Sequence, residues 1–426
     1  MTFIPTVKVM IFAQGNVIDQ SLNKDSLDVA NKTDRWGAID PGKGFLVGKN
    51  KYGSMSISAY VLVRYINQLP AHQTFTDHLG RTQTIDPRND IQFHRVLLNF
   101  LGFIYKPKLN YVVTCWTVNS TQQVAIVGAL DYQFHRAFDL YVGIVGNAGT
   151  RSMNGSHPYW LAPDRVMADE FFRPGFTSGV WATGELFPKL FYKAMLGNNL
   201  SQLGISAVAL TRHFATSGSV WWMPTTGEFG PRGAYGDYEY HQKLSTRFGT
   251  SFTHSRENRF NDLSERSPDN TQIRLSDGLL FFQTDALANG VTVIEANFDL
   301  HAIDVGIKYK GIFLQTEYFF RRLSKFSADG PLPMRSIFDH GFYVQAAFFP
   351  IPKKLEIYAA TSQVFGQFRY SYEYLGGINF YPAETRNFRV NAHVIGVNRS
   401  PAGSTFGYYV AGQKGVTISL ASSVFF

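Results

Sequence analysis

Five cations lie inside stretches where apolar and polar residues alternate: Arg64 in "ISAYVLVRY", Lys193 in "LFYKAML", Arg247 in "LSTRFGTSFT", Arg321 in "IFLQTEYFFR" and Arg389 in "FRVNAHVIGV". A period of two places each cation on one face of a strand and the large apolar residues on the other. An arginine turned to lipid at mid-bilayer costs roughly 2–4 kcal/mol. If these strands cross a membrane, the cations therefore point into a lumen or lie near an interface. Fixed cations in a confined pore attract anions, and the planar fork of arginine suits oxyanions. The alternative is that they pair with lumenal acids such as Glu317 and Asp304 and only brace the wall.

A second group lies in "SHPYWLAPDRVMADEFFRPGF", residues 156–176. "PDRVMADEFFRP" predicts a helix of one or two turns, with Asp164 near its start and Pro174 as its stop. Over 147–176, Arg151, Arg165 and Arg173 stand against Asp164, Asp169 and Glu170, so that range carries no net charge. Opposed acidic and basic rows would set up a field across a lumen; an ordinary external loop is the other reading.

Catalytic patterns are missing. The histidines show no HExxH or other metal-ligand spacing, no G-x-S-x-G elbow occurs, and no carboxylate pair stands out. His393 with Asn391 reads as a wall-lining pair. His94 beside Arg95 in "QFHRVLLN" is ambiguous, because a bulge there would swap faces. The lone Cys115, in the strand-like "YVVTCWTV", excludes an internal disulfide and reads as a small apolar side chain. A non-enzymatic protein without metal or cofactor is expected.

The elements that must carry these residues are strands almost throughout the 426 residues. Charged residues are 17% and aromatics 15%, and the longest apolar runs, such as "GLLFF" at 278–282, fall far short of a membrane helix. Connections come in two lengths. Short ones fall at 105–109, 349–355 and 381–387; long ones at 67–90, 147–176, 224–236, 254–273 and 322–340. That rhythm is the sidedness of an outer-membrane barrel, with short periplasmic turns and long external loops. At about 26 residues per strand with its loop, the length gives about 16 strands, a size that leaves an aqueous channel. The stretch 198–243 resists strand assignment. Aromatics near turns, including Phe348, Phe349, Phe380, Tyr381, Tyr408, Tyr409, Phe425 and Phe426, fit interfacial girdles.

The chain ends "GVTISLASSVFF", an alternating strand with Val416, Ile418, Leu420 and Val424 on one face. A barrel tolerates no free edge, so this strand must close against the first one, near 54–66. The expected organisation is a leader-like or periplasmic segment over 1–50 and a transmembrane barrel over 51–426, with a constriction loop at about 147–176. The net charge of +8 is spread along the chain, and no nucleic-acid motif accompanies it.

"ISAYVLVRY" (57–65), "RNDIQFHRVLLNFLGFIYKPKLNY" (88–111), "GFYVQAAFFPIPKKLEIYAATS" (341–362) and the final "SVFF" resemble the phosphate-selective porin O and P family. The resemblance implies a 16-stranded, all-β, antiparallel porin of the bacterial outer membrane, trimeric, with a basic lumen and a folded-in loop. It implies that Phe426 ends a signal read by the barrel assembly machinery. It also implies lumenal arginines similar to Arg64, Arg247, Arg321 and Arg389. The segment 147–176 lacks lysine, a departure from the phosphate-specific members. Passive diffusion of small solutes or anions, weakly anion-selective, is the expected activity; a sugar or neutral-solute porin and a structural or adhesive barrel are the alternatives. Membrane lipid and lipopolysaccharide are the expected surroundings.

Overall fold

The computed structural model describes residues 41–118, 123–201, 213–404 and 407–426. The first 40 residues of the expected leader-like segment, and 202–212 within the unassigned stretch, lie outside them. In chain order the elements are β1 (Phe45–Asn50), β2 (Gly53–Leu69), β3 (Gln73–Thr76), β4 (Thr82–Ile85), β5 (Asn89–Ile104), β6 (Lys106–Val118), β7 (Gln123–His135) and β8 (Phe138–Gly146). A helix α1 (Met167–Phe172) precedes β9 (Phe176–Phe187), β10 (Leu190–Gly197), β11 (Ala215–Trp222), β12 (Ser245–Asn258) and β13 (Val293–Tyr309). The chain finishes with β14 (Ile312–Ala328), β15 (Ser336–Ile351), β16 (Leu355–Phe365), β17 (Tyr370–Phe380), β18 (Phe388–Asn398) and β19 (Gly415–Phe425).

Sixteen strands form one closed antiparallel barrel, each pairing with its neighbour in sequence. Closure joins β19 to β2, with Val424 opposite Val61 and Leu420 opposite Tyr65. The last residue is held as well: Ala59 N–H donates to the Phe426 carbonyl and Phe426 N–H to the Ala59 carbonyl, both at 3.0 Å. β1 is an extra strand that pairs with the first residues of β2, below the reach of β19. β3 and β4 form a separate hairpin in the connection between β2 and β5.

The alternation read from the sequence is the alternation observed. On β19, Val416, Ile418, Leu420 and Val424 are exposed while Thr417, Ser419, Ala421 and Ser423 are buried. Outward residues of this kind recur around the barrel and make an apolar belt; inward positions carry the polar and charged side chains. No helix is long and apolar enough to cross a membrane among the described residues. A closed barrel satisfies every wall hydrogen bond internally, which is what a strand-built membrane span requires.

Expectations about connections change: the one at 254–273 lies instead over 259–292, because β12 continues to Asn258. The stretch 322–340 is mostly strand, because β14 runs to Ala328 and β15 starts at Ser336. Beyond the hydrocarbon the outer face no longer has to be apolar, so the pattern stops while the strand continues. The loop at 224–236 is part of a longer segment, 223–244, and joins β11 to β12 at the end where the neighbouring turns are short. At that same end Lys310 and Gly311 close the β13–β14 hairpin with φ of 46° and 84°, the left-handed pair of a tight hairpin.

The girdle assignment holds for three of the eight aromatics. Phe348, Phe380 and Phe426 are exposed outward, but Phe349, Tyr381, Tyr408, Tyr409 and Phe425 are buried inside. They pack with segments that fold into the barrel, for which adjacency to a turn gives no signal.

Candidate functional site: the lumen and its inserted segments

Among the described residues, four segments enter the barrel. Residues 147–175, 259–292 and 399–404 with 407–414 come from the long-loop end, and 223–244 from the short-turn end. Their apolar side chains, among them Trp160, Phe172, Phe229, Tyr235, Phe281 and Tyr408, form one hydrophobic cluster with wall residues such as Phe313, Phe319 and Tyr343. Phe172 stacks on Phe319 with ring centroids 5.1 Å apart, and Tyr235 lies 5.8 Å from Phe313. Each large side chain buried this way contributes roughly 1.5–3 kcal/mol. The insertions are therefore packed against the wall rather than draped over it.

The 147–175 segment is the expected inward loop, and its helix is six residues long with Arg173 as its C-cap. The free N–H groups at a helix start need acceptors. Here the wall supplies them: Met167 N–H donates to Glu373 Oε1 at 2.6 Å and Ala168 N–H to Ser362 Oγ at 3.1 Å. Glu373 also accepts from Tyr409 at 2.6 Å, which ties the 399–414 segment to the same carboxylate. A carboxylate at a helix N-terminus is favoured by the backbone dipoles as well.

Asp164 is the loop's main tether. It meets Arg64 Nη1 at 2.9 Å through Oδ2 and Arg95 Nη2 at 2.9 Å through Oδ1, with His94 Nε2 at 3.7 Å. Arg64 also donates to the Gly407 carbonyl at 3.2 Å and lies 4.7 Å from the Tyr408 ring. His94 and Arg95 are consecutive yet both buried, because the β2–β5 register shifts between Leu62 and Val63. Leu62 faces Arg95 and Val63 faces Phe93, leaving His94 as the extra residue of a β-bulge. The bulge in "QFHRVLLN" is thus real, and it delivers two cationic-type side chains to one acid.

The remaining site residues fall into separate contacts. Arg247 pairs with Asp304 at 2.9 Å, and Arg321 pairs with Asp339 at 2.6 Å while lying 4.1 Å from the Phe171 ring. Arg389 donates to the carbonyls of Trp160 and Leu161. Lys193 reaches the Gly146 carbonyl at 3.4 Å. Within the loop, Arg165 donates to Ser152 at 2.8 Å and lies 3.8 Å from Asp169; Arg173 holds Glu170 through two bonds of 2.9 and 2.8 Å. Asp169 accepts from Ser152 at 2.8 Å. The loop's acids and bases therefore neutralise one another or bind the wall, and do not face each other across open space. Asn391 and His393 contact each other at 2.8 Å on the inner wall, with the His393 ring edge-on to Tyr408.

Sequence reasoning missed Glu373 as a helix cap and Arg151 as a hub. Arg151 N–H donates to Glu317 at 2.8 Å and its guanidinium to the Gly233 carbonyl at 2.6 Å, joining the inward loop to the 223–244 insert. An inward acid in an alternating strand was legible at both Glu317 and Glu373; its partner was not.

The 223–244 insert ends in a charge cluster. His241 Nε2 meets Glu228 at 2.7 Å and Nδ1 meets Asp237, whose other oxygen accepts from Gly311 N–H at 2.7 Å. Glu239 is held by Arg386 through two bonds of 2.9 Å. The ligand atoms of Asp237, Glu239 and His241 lie within 4.8 Å of one another. Both imidazole nitrogens and both Glu239 oxygens are already engaged, so the group is an ion-pair latch in this arrangement. Burial lowers the imidazole's proton affinity, but the carboxylates of Asp237 and Glu228 outweigh it and push His241 up to about 9. A raised value means the charged latch is complete below the ordinary 6.5 and is lost as pH rises through about 9. Limited proteolysis of 223–244 is expected to accelerate through that range, and His241→Gln should remove the pH step; cleavage independent of pH would exclude the latch.

No family model and no curated sequence matches the chain, so the likeness to the phosphate-selective porins carries no further than the fold. Solved structures do match. OmpT of Vibrio cholerae is 8% identical over 89% of this chain and 100% of its own, with a TM-score of 0.54. Salmonella typhi OmpF is 11% identical over 89% and 99%, with a TM-score of 0.50. The outer membrane channel DcaP of Acinetobacter baumannii is 8% identical over 90% and 100%, also at 0.50. At such identities the likeness is one of fold. With its closed 16-strand wall and apolar outer belt, the chain is a β-barrel protein of the bacterial outer membrane.

Proposed function

We propose that the chain is a channel for passive diffusion of small hydrophilic solutes, weakly anion-preferring, with phosphate among the anions to be tried. The observation that carries this is the charge pattern of the inner wall. Among the described residues, Lys193, Lys308 and Arg389 contact backbone carbonyls and have no carboxylate within ion-pair distance. Side chains of this kind, where charged, would draw anions toward a solute path that runs beside them. The preference is weak because Glu257, Glu356 and Glu373 occupy the same inner surface and accept hydrogen bonds from neutral donors. Arg64, Arg247 and Arg321 act mainly as braces in this reading. A homotrimer is proposed too, with a trimer form of Vibrio cholerae OmpT as precedent for the fold. Phe426 serves as the end of the assembly signal.

Single-channel recording in a planar bilayer under a KCl gradient tests the proposal. A reversal potential of anionic sign is expected, and Lys193→Ala with Arg389→Ala should bring it toward zero. Cation preference would exclude the anion reading, and block of a chloride current by added phosphate would support phosphate as a solute. The second reading is a structural barrel without transport, favoured by the hydrophobic cluster that fills much of the interior. Absence of any conductance would select it.

A further inference from the structure

We propose that the outer wall carries a docking groove for a phosphate-bearing lipid of the outer leaflet, of the lipopolysaccharide type, on β12–β15 at the long-loop end. A groove of about 540 Å³ opens there, lined by Asn297, Asp299, Arg322, Ser324, Lys325 and Arg335, among others. It faces outward. Leu323 and Ile337 beside it are buried in the interior cluster, so Arg322, Ser324 and Ser336 project from the opposite face.

Strand register fixes its height. His254 pairs across to Asp299, Asp299 to Arg322 and Arg322 to Phe338, which makes one row across four strands. The row beneath is Phe252, His301, Phe320 and His340, and Tyr318, Phe320 and His340 are in ring contact there. Below that, the outer face of β14 is Thr316, Leu314 and Ile312. From Ile312 to Phe320 this face spans about 20 Å along the membrane normal, at ~3.3 Å per residue and a tilt of roughly 40°. The cations therefore begin where the apolar and aromatic belt stops, at the level of the lipid head groups.

Charge complementarity names the occupant. The nearby acids are already engaged: Asp299 meets His254 at 2.6 Å, and Glu295 meets Arg256 at 2.9 Å. Arg322, Lys325 and Arg335 are exposed and, among the described residues, have no carboxylate within ion-pair distance. Three uncommitted cations around an open groove, with Ser324, Ser336 and Asn297 as hydrogen-bonding neighbours, suit a phosphorylated head group whose acyl chains run down the aromatic face. The groove lies outside the lumen and its occupancy does not depend on conduction.

The test uses the full chain in detergent micelles, with binding of purified lipopolysaccharide measured for wild type, for Arg322→Gln/Lys325→Gln/Arg335→Gln, and for a control lacking the same charge at the other end, Lys51→Gln/Lys106→Gln/Lys108→Gln. Heat-modifiable migration on gels verifies that each barrel is folded. The groove variant is expected to bind about a hundredfold more weakly, given the usual contribution of each basic residue at an anionic lipid surface, and the control should match wild type. Dephosphorylated lipopolysaccharide should bind wild type as poorly as the groove variant, and inorganic phosphate in excess should not displace the intact lipid. Equal binding by the groove variant, equal loss in the control, or full affinity for the dephosphorylated lipid would each overturn the proposal. Displacement by inorganic phosphate at concentrations near that of the lipid would overturn it in favour of a soluble-anion site.

Discussion

Replacing Asp164 by alanine is expected to unseat the 147–175 segment from the wall. The carboxylate is the shared partner of Arg64 and Arg95, both buried. Removing one member of a buried pair leaves an uncompensated charge and costs about 3–5 kcal/mol. Here the strain has an outlet, because the loop can move while the wall hydrogen bonds stay intact. The freed guanidinium groups would then face water in the lumen. Single-channel conductance should rise and the reversal potential should move further toward anions, with faster proteolysis within 147–175. Asp164→Asn should fall between, keeping an acceptor but not the charge. Unchanged conductance, selectivity and proteolysis in the alanine variant would show that Asp164 does not hold the loop.

Excising residues 225–243 and closing the gap with a short glycine-containing turn should have the second large effect. This insert places Phe229 and Tyr235 against Phe313 and gives Arg151 its Gly233 acceptor. Losing two buried aromatic side chains forfeits roughly 3–6 kcal/mol of packing. The β11–β12 pairing, which still runs from Thr216 opposite His254 to Trp222 opposite Phe248, does not involve the excised residues. The barrel should therefore assemble, with a several-fold larger conductance and admission of larger neutral polymers. If conductance and polymer cutoff stay at the wild-type values in a folded barrel, the solute path does not pass this segment.

How much of the site could be read beforehand follows from the range of each interaction. That Arg64, Arg247, Arg321 and Arg389 face inward rests on a local period of two and the cost of charge in lipid. The helix near Asp164 rests on local stop signals, and the observed α1 lies inside the expected stretch. What each arginine touches is another matter. Arg64 and Asp164 are 100 residues apart and wall Glu373 stands 206 residues from Met167 in the helix it caps, and no spacing rule links them. The bulge at His94 could be suspected from two adjacent polar residues; only the register shift against β2 shows that both turn inward.

By itself the sequence determined architecture and compartment. Alternation, turn chemistry and the terminal strand are short-range properties, and a membrane's demand for paired backbone and an apolar outer face turns them into a closed barrel. The tertiary structure decided what the barrel contains. Phe425 and Tyr408 lie in the interior, whereas Phe348 faces out, because the inserted segments bring their own apolar surface. Whether a loop enters a lumen depends on contacts with strands far away in the chain, and local pattern carries no information about those. The same holds for the row His254, Asp299, Arg322 and Phe338: four strands supply it, and only their register brings the four side by side.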